Sequence, residues 1–290
     1  MQIKNVIISG GTDGVGKEIA IGLASLGFRL LIVGRNAEKG ARVRSEIQTE
    51  TKNYHIRFLH ADLSLISESE RLCNRILDRF TEIHYLIHCA GIIHSRWELT
   101  EEGVEKNFAT NYLSRFHITQ RLAPLMLQTG KPGDPARIMV VNGAIKNGRV
   151  NFDDVNLTNK FSLFRFVSQQ CRANDLFATE LAARLEQQNK KTVIVDNYKL
   201  GVVKTNIRKT FPTWLHVIVA VLDPLIGMSS NQAAQPALEL LLNNKYEGES
   251  GAYIKILRFH KLKQPNNSID VTERKRLWEL SERLIFKILN

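Results

Sequence analysis

The stretch SGGTDGVG (Ser9–Gly16) follows an apolar run, Asn5–Ser9, and opens a segment with helical periodicity. Glycines at Gly10, Gly14 and Gly16 allow a tight turn, a close approach of the backbone to a pyrophosphate, and close packing of helix on strand. Amides at the helix N-terminus add hydrogen-bond donors and the positive end of the helix dipole. This order of strand, glycine-rich turn and helix predicts a phosphate-binding loop.

Outward from this loop, short β-branched runs alternate with longer amphipathic segments. Alternation of this kind predicts an α/β fold: a single Rossmann-type doubly wound parallel sheet of about seven strands with helices on both faces. The expected strands are Asn5–Ser9, Arg29–Val33, Ile56–His60, Tyr85–His88, Ile138–Val141, Val193–Asn197 and a seventh near Ala252–Ile256. The expected helices are Gly16–Leu26, Ala37–Thr49, Ser67–Arg79, Glu105–Gln128, Phe166–Gln188, Asn231–Leu242 and Val271–Leu289.

The domain organisation is expected to be simple. A chain of 290 residues suits one large α/β domain, and no repeat or linker divides it. We therefore expect a single NAD(P)-binding Rossmann domain over residues 1–290. The apolar face of residues 271–289 favours a closing helix docked on the core over a helix that binds a partner.

The residue after the second strand bears on the choice of dinucleotide. An acidic residue here binds the ribose hydroxyls of NAD, whereas an arginine accepts the extra phosphate of NADP. Arg35, with help from Lys39, favours NADP(H) over NAD(H). The negative charge of Asp13 at the same corner opposes this preference, and a solvent-facing arginine near the next helix is the alternative.

Composition and charge limit the class of protein. The formal net charge is +11, but lysines and arginines are scattered rather than clustered, which favours a solvated positive surface over a nucleic-acid site. Three cysteines without a paired motif, and no leader before Ile3, predict a reduced, cytoplasmic setting. No apolar run is long enough to span a membrane, although Trp214–Met228 leaves peripheral membrane contact open. Eight histidines lack metal-ligand spacing, so no metal is expected.

Several further motifs resemble the short-chain dehydrogenase/reductase family, in particular its retinol-dehydrogenase-like branch. They are Asp62-Leu63, LIHCAG (Leu86–Gly91), NFATNYLSRFHIT (Asn107–Thr119), GVVKT (Gly201–Thr205) and LWELSE (Leu277–Glu282). The resemblance covers nearly the whole chain. It implies a cofactor site formed by Gly10, Thr12, Asp13, Gly14, Val15, Gly16, Arg35, Asn36, Asp62, Leu63, Ala90, Gly91, Val203 and Thr205.

The catalytic residues that the resemblance implies are largely replaced. Active members use an asparagine, here Asn111, a serine after the fifth strand, and a Tyr-x-x-x-Lys pair on the next helix. The serine position falls on Asn142 or Gly143, the tyrosine position on Val167 and the lysine position on Cys171. No tyrosine in the chain is followed four residues later by lysine. The usual proton relay, a tyrosine tuned by a neighbouring cation, is therefore absent.

Substitutes for that relay are few. Tyr198 and Lys199, placed in the loop after the sixth strand, form a tyrosine–lysine pair unless they point to opposite sides of an extended segment. Asn142 can donate a hydrogen bond to a substrate oxygen from roughly the serine's place. The catalytic candidates are thus Asn111, Asn142, Tyr198 and Lys199.

The substrate end is apolar. In the family, the region after Thr205 covers the substrate, and residues 206–230 of this chain carry many apolar and aromatic side chains. This composition predicts an apolar small-molecule substrate, with core packing or a homodimer contact as alternatives. Three functions stay open: an atypical oxidoreductase, a non-redox isomerase or cyclase on the same fold, and a catalytically silent cofactor-binding or partner subunit.

Overall fold

The computed structural model describes only part of the chain, and the cover predicted at residues 206–230 lies outside that part up to residue 226. The described ranges are 3–145, 148–188, 192–204, 227–243, 250, 253–257, 260–264 and 270–290, with backbone alone for 253–257 and 260–264. Within these ranges, no helix is both long and apolar enough to cross a lipid bilayer.

The described elements alternate between strand and helix along most of the chain. The strands are β1 (Asn5–Ser9), β2 (Arg29–Gly34), β3 (Ile56–His60), β4 (Tyr85–His88), β5 (Ala136–Gly143), β6 (Val193–Leu200), β7 (Tyr253–Leu257) and β8 (His260–Gln264). The helices are α1 (Gly14–Ser25), α2 (Ala37–Thr51), α3 (Ile66–Leu77), α4 (Lys106–Phe108), α5 (Ser114–Thr129), α6 (Leu163–Gln187), α7 (Ser230–Leu242) and α8 (Val271–Leu289).

The strands form one sheet in the order β3-β2-β1-β4-β5-β6-β7-β8. Strands β1 to β7 run parallel, and β8 pairs antiparallel with β7. The predicted doubly wound fold is thereby confirmed, with an added antiparallel edge strand. Strand order reverses between β1 and β4, so the loops that follow these two strands diverge and leave a crevice at their carboxyl ends.

Two apolar layers cover the sheet because successive strand side chains face opposite sides. Ile7 belongs to the layer under α3, α5, α6 and α8, and its neighbour Ile8 belongs to the layer under α1, α2 and α7. On the first side, Leu277 and Trp278 of α8 are buried, and the Trp278 ring packs edge-on against Phe116 at 4.9 Å. α8 therefore docks on the core.

Most elements differ by a few residues at their ends from the bounds expected from the sequence, and three of these differences bear on the site. The helix expected over Glu105–Gln128 is divided by a π-helical segment, Ala109–Leu113, which contains Asn111. Strand β5 extends to Gly143 and β6 to Leu200. Asn142 and Lys199 therefore pair within the sheet, where strand register fixes the face that each presents.

Candidate active site at the carboxyl edge of the sheet

The glycine-rich loop after β1 packs directly against the end of β4. Gly10 has φ of 75°, and a Cβ on it would lie 2.6 Å from Ala90 Cα. A Cβ on Gly16 would collide with the carbonyl oxygen of Gly10. The loop thus needs glycine at both positions. Since the first amides of α1 lack intrahelical acceptors, the loop presents donors suited to a phosphate. Val15 begins the buried face of this helix.

The corner between α1 and α2 carries the charged residues that bear on the dinucleotide. Asp13 caps α1 by accepting from the Gly14 amide at 2.8 Å, and its carboxylate pairs with Lys39 Nζ. Asn36 caps α2 by accepting from the Lys39 amide at 2.8 Å. The Arg35 side chain, directly after β2, is exposed. The Lys39 ammonium therefore compensates the negative charge of the Asp13 carboxylate, the charge that opposes the extra phosphate of NADP at this corner.

Three further predicted cofactor positions line the same side of the crevice. Thr12 packs over Gly34, where a Cβ would lie 2.7 Å from Thr12 Oγ1. The Asp62 carboxylate accepts from both the amide and the hydroxyl of Ser64, at 2.9 and 2.8 Å. Leu63 is buried. Asp62 thereby holds the turn into α3 at this edge of the crevice.

Three of the four remaining predicted positions lie at the other half of the crevice. Ala90 and Gly91 follow β4 and are half-buried. Val203 is buried and forms an isolated parallel bridge with Met228. Thr205 lies outside the described residues.

Asn111 holds the loop that follows β4. Its Oδ1 accepts from the Ile92 amide at 2.7 Å, and its Nδ2 donates to the Ile92 carbonyl at 2.8 Å. The Asn111 carbonyl in turn accepts from Asn174 Nδ2 at 3.0 Å. Both polar atoms of the Asn111 side chain are therefore engaged with backbone, and this residue orders the cofactor-side loop.

Tyr198 and Lys199 point to opposite faces of the sheet. The Tyr198 hydroxyl donates to the Ala233 carbonyl at 2.8 Å on the α7 side, and burial raises the pKa of this phenol. Lys199 lies on the α6 side, where its Nζ pairs with Asp175 and donates to the Gly143 carbonyl at 3.2 Å. The tyrosine–lysine pair considered from the sequence therefore does not form, because adjacent strand residues alternate in direction.

A buried polar network surrounds Asp175 on the α6 side. Asp175 Oδ1 accepts from Asn142 Nδ2 at 3.2 Å and from Asn197 Nδ2 at 2.9 Å, besides pairing with Lys199. Asn142 also donates to the Cys171 carbonyl at 2.9 Å, and its Oδ1 accepts from the Gly143 amide at 2.8 Å. The structure thus brings Asn142 and Lys199 together through an acid that sequence reasoning missed.

The positions where the resemblance implies tyrosine and lysine lie one turn apart on α6. Val167 is half-buried and Cys171 is buried. Burial raises the pKa of the Cys171 thiol, so the thiol is neutral at pH 7. A Cβ on Gly143 would lie 2.9 Å from Cys171 Sγ. Gly143, one of the two candidates for the serine position, thus packs closely against Cys171, the candidate for the lysine position.

Arg115 is a second charged residue that sequence reasoning missed. Its guanidinium donates to the Val141 carbonyl at 2.8 Å and to the Ala90 carbonyl at 2.6 Å, which joins the ends of β5 and β4. A signal was available for both Arg115 and Asp175. Each is a charged residue among the buried apolar residues of a helix, and charges in such places are functional candidates.

Comparison with known proteins identifies the family. A family model described as short chain dehydrogenase matches residues 4–152. This chain belongs to the short-chain dehydrogenase family. The predicted membership is confirmed, including the retinol-dehydrogenase-like branch. Members of the short-chain dehydrogenase family are generally oxidoreductases.

Individual relatives agree with this membership. Retinol dehydrogenase 12 of Mus musculus is 31% identical over 251 residues, which cover 86% of this chain and 77% of the relative. Human polyprenol dehydrogenase is 29% identical over 251 residues, covering 86% of this chain and 75% of the relative. A solved Pseudomonas aeruginosa RhlG/NADP active-site complex has a TM-score of 0.68 at 21% identity, covering 87% of this chain and 94% of that one. This last likeness is one of fold.

Proposed function

We propose that this short-chain dehydrogenase binds NADP(H) and transfers hydride to or from a carbonyl or alcohol carbon of an apolar small molecule. The observation that carries the proposal is the glycine-rich loop closed against Ala90. When bound, the nicotinamide supplies or accepts the hydride. The glycine-rich loop Gly10–Gly16 would hold the pyrophosphate, although its Gly10 and Gly14 amides already donate to Val33 and Asp13. Asn111 orders the loop after β4.

Two observations support NADP(H) over NAD(H). Arg35 stands at the end of β2, where an acidic residue would favour NAD. Lys39 compensates the negative charge of the Asp13 carboxylate, so this corner can accept the extra phosphate of NADP. The fold neighbour RhlG was solved with NADP, in agreement with this choice.

Replacing Arg35 with serine tests the preference. We expect Arg35→Ser to weaken NADPH binding by roughly tenfold or more, because a charge-assisted hydrogen bond to phosphate contributes about 1.5–3 kcal/mol. NADH binding should stay within about twofold of wild type, since NADH lacks that phosphate. Calorimetric titration of each cofactor measures both changes.

Arg42→Ser is the matched control for this change. Arg42 is an exposed arginine farther along α2 that pairs with Glu46. Arg42→Ser should leave the affinities for NADPH and for NADH unchanged. Equal weakening of NADPH and NADH by Arg35→Ser would contradict the assignment of the NADP phosphate to Arg35.

An apolar substrate is supported by the chain and by its relatives. Residues 206–230 are rich in apolar and aromatic side chains. Polyprenol and retinol, named in the relatives, are both apolar isoprenoid alcohols. We therefore expect NADPH oxidation with long-chain or isoprenoid aldehydes in preference to small polar ones, measured by the absorbance of NADPH.

Catalysis without the usual tyrosine relies on placement of the reactants. Holding the substrate carbon beside the nicotinamide supplies rate through orientation alone. In carbonyl reduction the hydride goes to the carbonyl carbon, and the substrate oxygen takes its proton from water. Lys199 lies beneath Gly143 and supplies an ammonium near the edge where Cys171 has replaced the family's lysine. Its pairing with Asp175 limits the net charge there.

A catalytically silent cofactor-binding subunit is the second candidate. It is favoured by the state of Asn142, whose amide oxygen and nitrogen are both engaged within the protein. Restoring the family's residues separates the two candidates. We expect the combined change Gly143→Ser, Val167→Tyr and Cys171→Lys to raise NADPH-dependent reduction of apolar aldehydes by about 100-fold, the usual contribution of a positioned general acid.

Gly143→Ser alone is the control for packing. The new Cβ would lie 2.9 Å from Cys171 Sγ, so this single change should cost about 1–3 kcal/mol of stability in urea unfolding. In the combined variant Cys171 is also replaced, so the close contact with its Sγ no longer exists. A restored protein that binds NADPH but reduces no apolar aldehyde would favour the silent subunit.

A further inference from the structure

Arg115 carries a buried guanidinium at the crevice edge. The residue is 5% exposed, and it donates to three uncharged acceptors: the carbonyls of Val141 and Ala90 and, at 3.2 Å, Asn174 Oδ1. Its Nε has no hydrogen-bond partner among the described residues. A buried guanidinium usually pairs with a carboxylate. Within the described ranges, Arg115 has none.

Burial holds three titratable groups around Arg115 neutral, namely His88, Cys89 and Cys171. Burial, with the Arg115 charge as a smaller cause, lowers the pKa of His88 to about 3. Burial raises the pKa of Cys89 to about 12, and it also raises the pKa of Cys171. Burial lowers the pKa of Arg115 to about 10, which leaves the guanidinium charged at pH 7. The nearby Lys199 is paired with Asp175. One net positive charge therefore stays beneath the ends of β4 and β5.

This charge discriminates between the two forms of a nicotinamide, because the oxidised ring is a cation and the reduced ring is neutral. We propose that Arg115, acting through its uncompensated charge, makes the site bind the reduced cofactor more tightly than the oxidised one. The inference rests on the proposed cofactor site. By linkage, the difference in affinity between NADP+ and NADPH shifts the redox equilibrium of the bound cofactor by the same factor. Bound NADP+ therefore accepts hydride more readily than free NADP+, so Arg115 favours hydride removal from an alcohol.

The size of the effect follows from Coulomb's law. Two unit charges placed about 10 Å apart, at an effective dielectric constant of about 20, interact strongly enough to change a binding constant by roughly tenfold, and we take this as the expected scale of the effect. A tenfold change corresponds to about 30 mV for a two-electron pair. Arg115 is a positioning residue in this account, since it acts on the ring without contacting substrate.

The test compares the dissociation constants of NADP+ and NADPH by calorimetry. In wild type, NADPH should bind roughly tenfold more tightly than NADP+. Arg115→Met should lower this ratio by about tenfold, whereas Arg115→Lys, which keeps the charge, should hold it within about twofold. A purely structural role predicts that Arg115→Met weakens both forms equally, and an unchanged ratio would overturn the inference.

A second pair of variants leaves the guanidinium in place. Cys171→Asp adds a negative charge beside Arg115, and Cys171→Asn is its neutral match. Only the aspartate should remove the preference for NADPH, which tests the response of the site to its net charge. If Arg115→Met does not fold, Arg115→Gln, which is neutral and keeps an amide donor, replaces it in the comparison. Binding of both forms with equal affinity by wild type refutes the inference alone. Binding of neither form refutes the proposed function, and the inference with it.

Discussion

Gly10→Ala is expected to weaken NADPH binding by at least roughly 100-fold, a loss of about 2.7 kcal/mol. The new Cβ would lie 2.6 Å from Ala90 Cα and 2.8 Å from the Cys89 carbonyl carbon. Both are backbone atoms at the end of β4, so the loop itself must move. Its amides then leave the positions in which they can bind a pyrophosphate.

Gly103→Ala is the matched control, because Gly103 has the same φ of 75° as Gly10 but no atom within 4 Å of an added Cβ. Both changes impose the strain of alanine at positive φ, about 1 kcal/mol. Only Gly10→Ala adds the collision. Calorimetry with NADPH and urea unfolding of both variants separate the two effects. If Gly10→Ala reduces the affinity for NADPH no more than Gly103→Ala does, the glycine-rich loop does not hold the cofactor.

Lys199→Met is expected to lower the free energy of unfolding by about 3–5 kcal/mol, the usual cost of leaving a buried charge without its partner. The side chains of Lys199 and Asp175 are 3% and 11% exposed. Without the ammonium, the amides of Asn142 and Asn197 are the donors that the Asp175 carboxylate keeps among the described residues. Urea unfolding followed by circular dichroism measures the loss.

Two further variants test the cause of that loss. The double change Lys199→Met with Asp175→Asn removes both charges and keeps an acceptor for the two asparagine amides, so it should recover most of the stability. Lys17→Met removes one partner of the exposed Lys17–Glu46 pair, at 28% and 42% exposure, and should cost less than about 1 kcal/mol. A loss in Lys199→Met as small as that would contradict the importance of the buried pair.

Among the described residues, Lys199 and Arg115 bring positive charge to the catalytic edge, and neither stands at Cys171, where the family resemblance implies a lysine. Lys199 reaches the edge from β6, and Arg115 from α5. Asp175 neutralises the charge of Lys199, whereas uncharged groups surround Arg115. A neutral residue at Cys171 therefore does not leave the site without positive charge. The variants of Lys199 and Arg115 measure these contributions separately.

The fold and the cofactor loop could be predicted because their signals are local. The glycines of Gly10–Gly16 form one continuous stretch after a strand, and the period of the apolar residues distinguishes strand from helix. The replacement of the catalytic residues is a prediction of the same local kind, since it places Val167 and Cys171 at defined spacings on one helix. Element ends were predicted less well. Both β5 and β6 continue beyond their apolar runs, because pairing with each other extends them to Gly143 and Leu200.

The sequence by itself was enough to assign this chain to the short-chain dehydrogenase family, and it predicts a glycine-rich cofactor loop and a replaced proton relay. Only the tertiary structure decided which polar residues meet at the catalytic edge. Tyr198 and Lys199 are adjacent in sequence yet lie on opposite faces of the sheet, while Lys199 meets Asp175 from a different element. The physical reason is that strand register and helix docking set long-range contacts, and neither is encoded in the spacing of neighbouring residues.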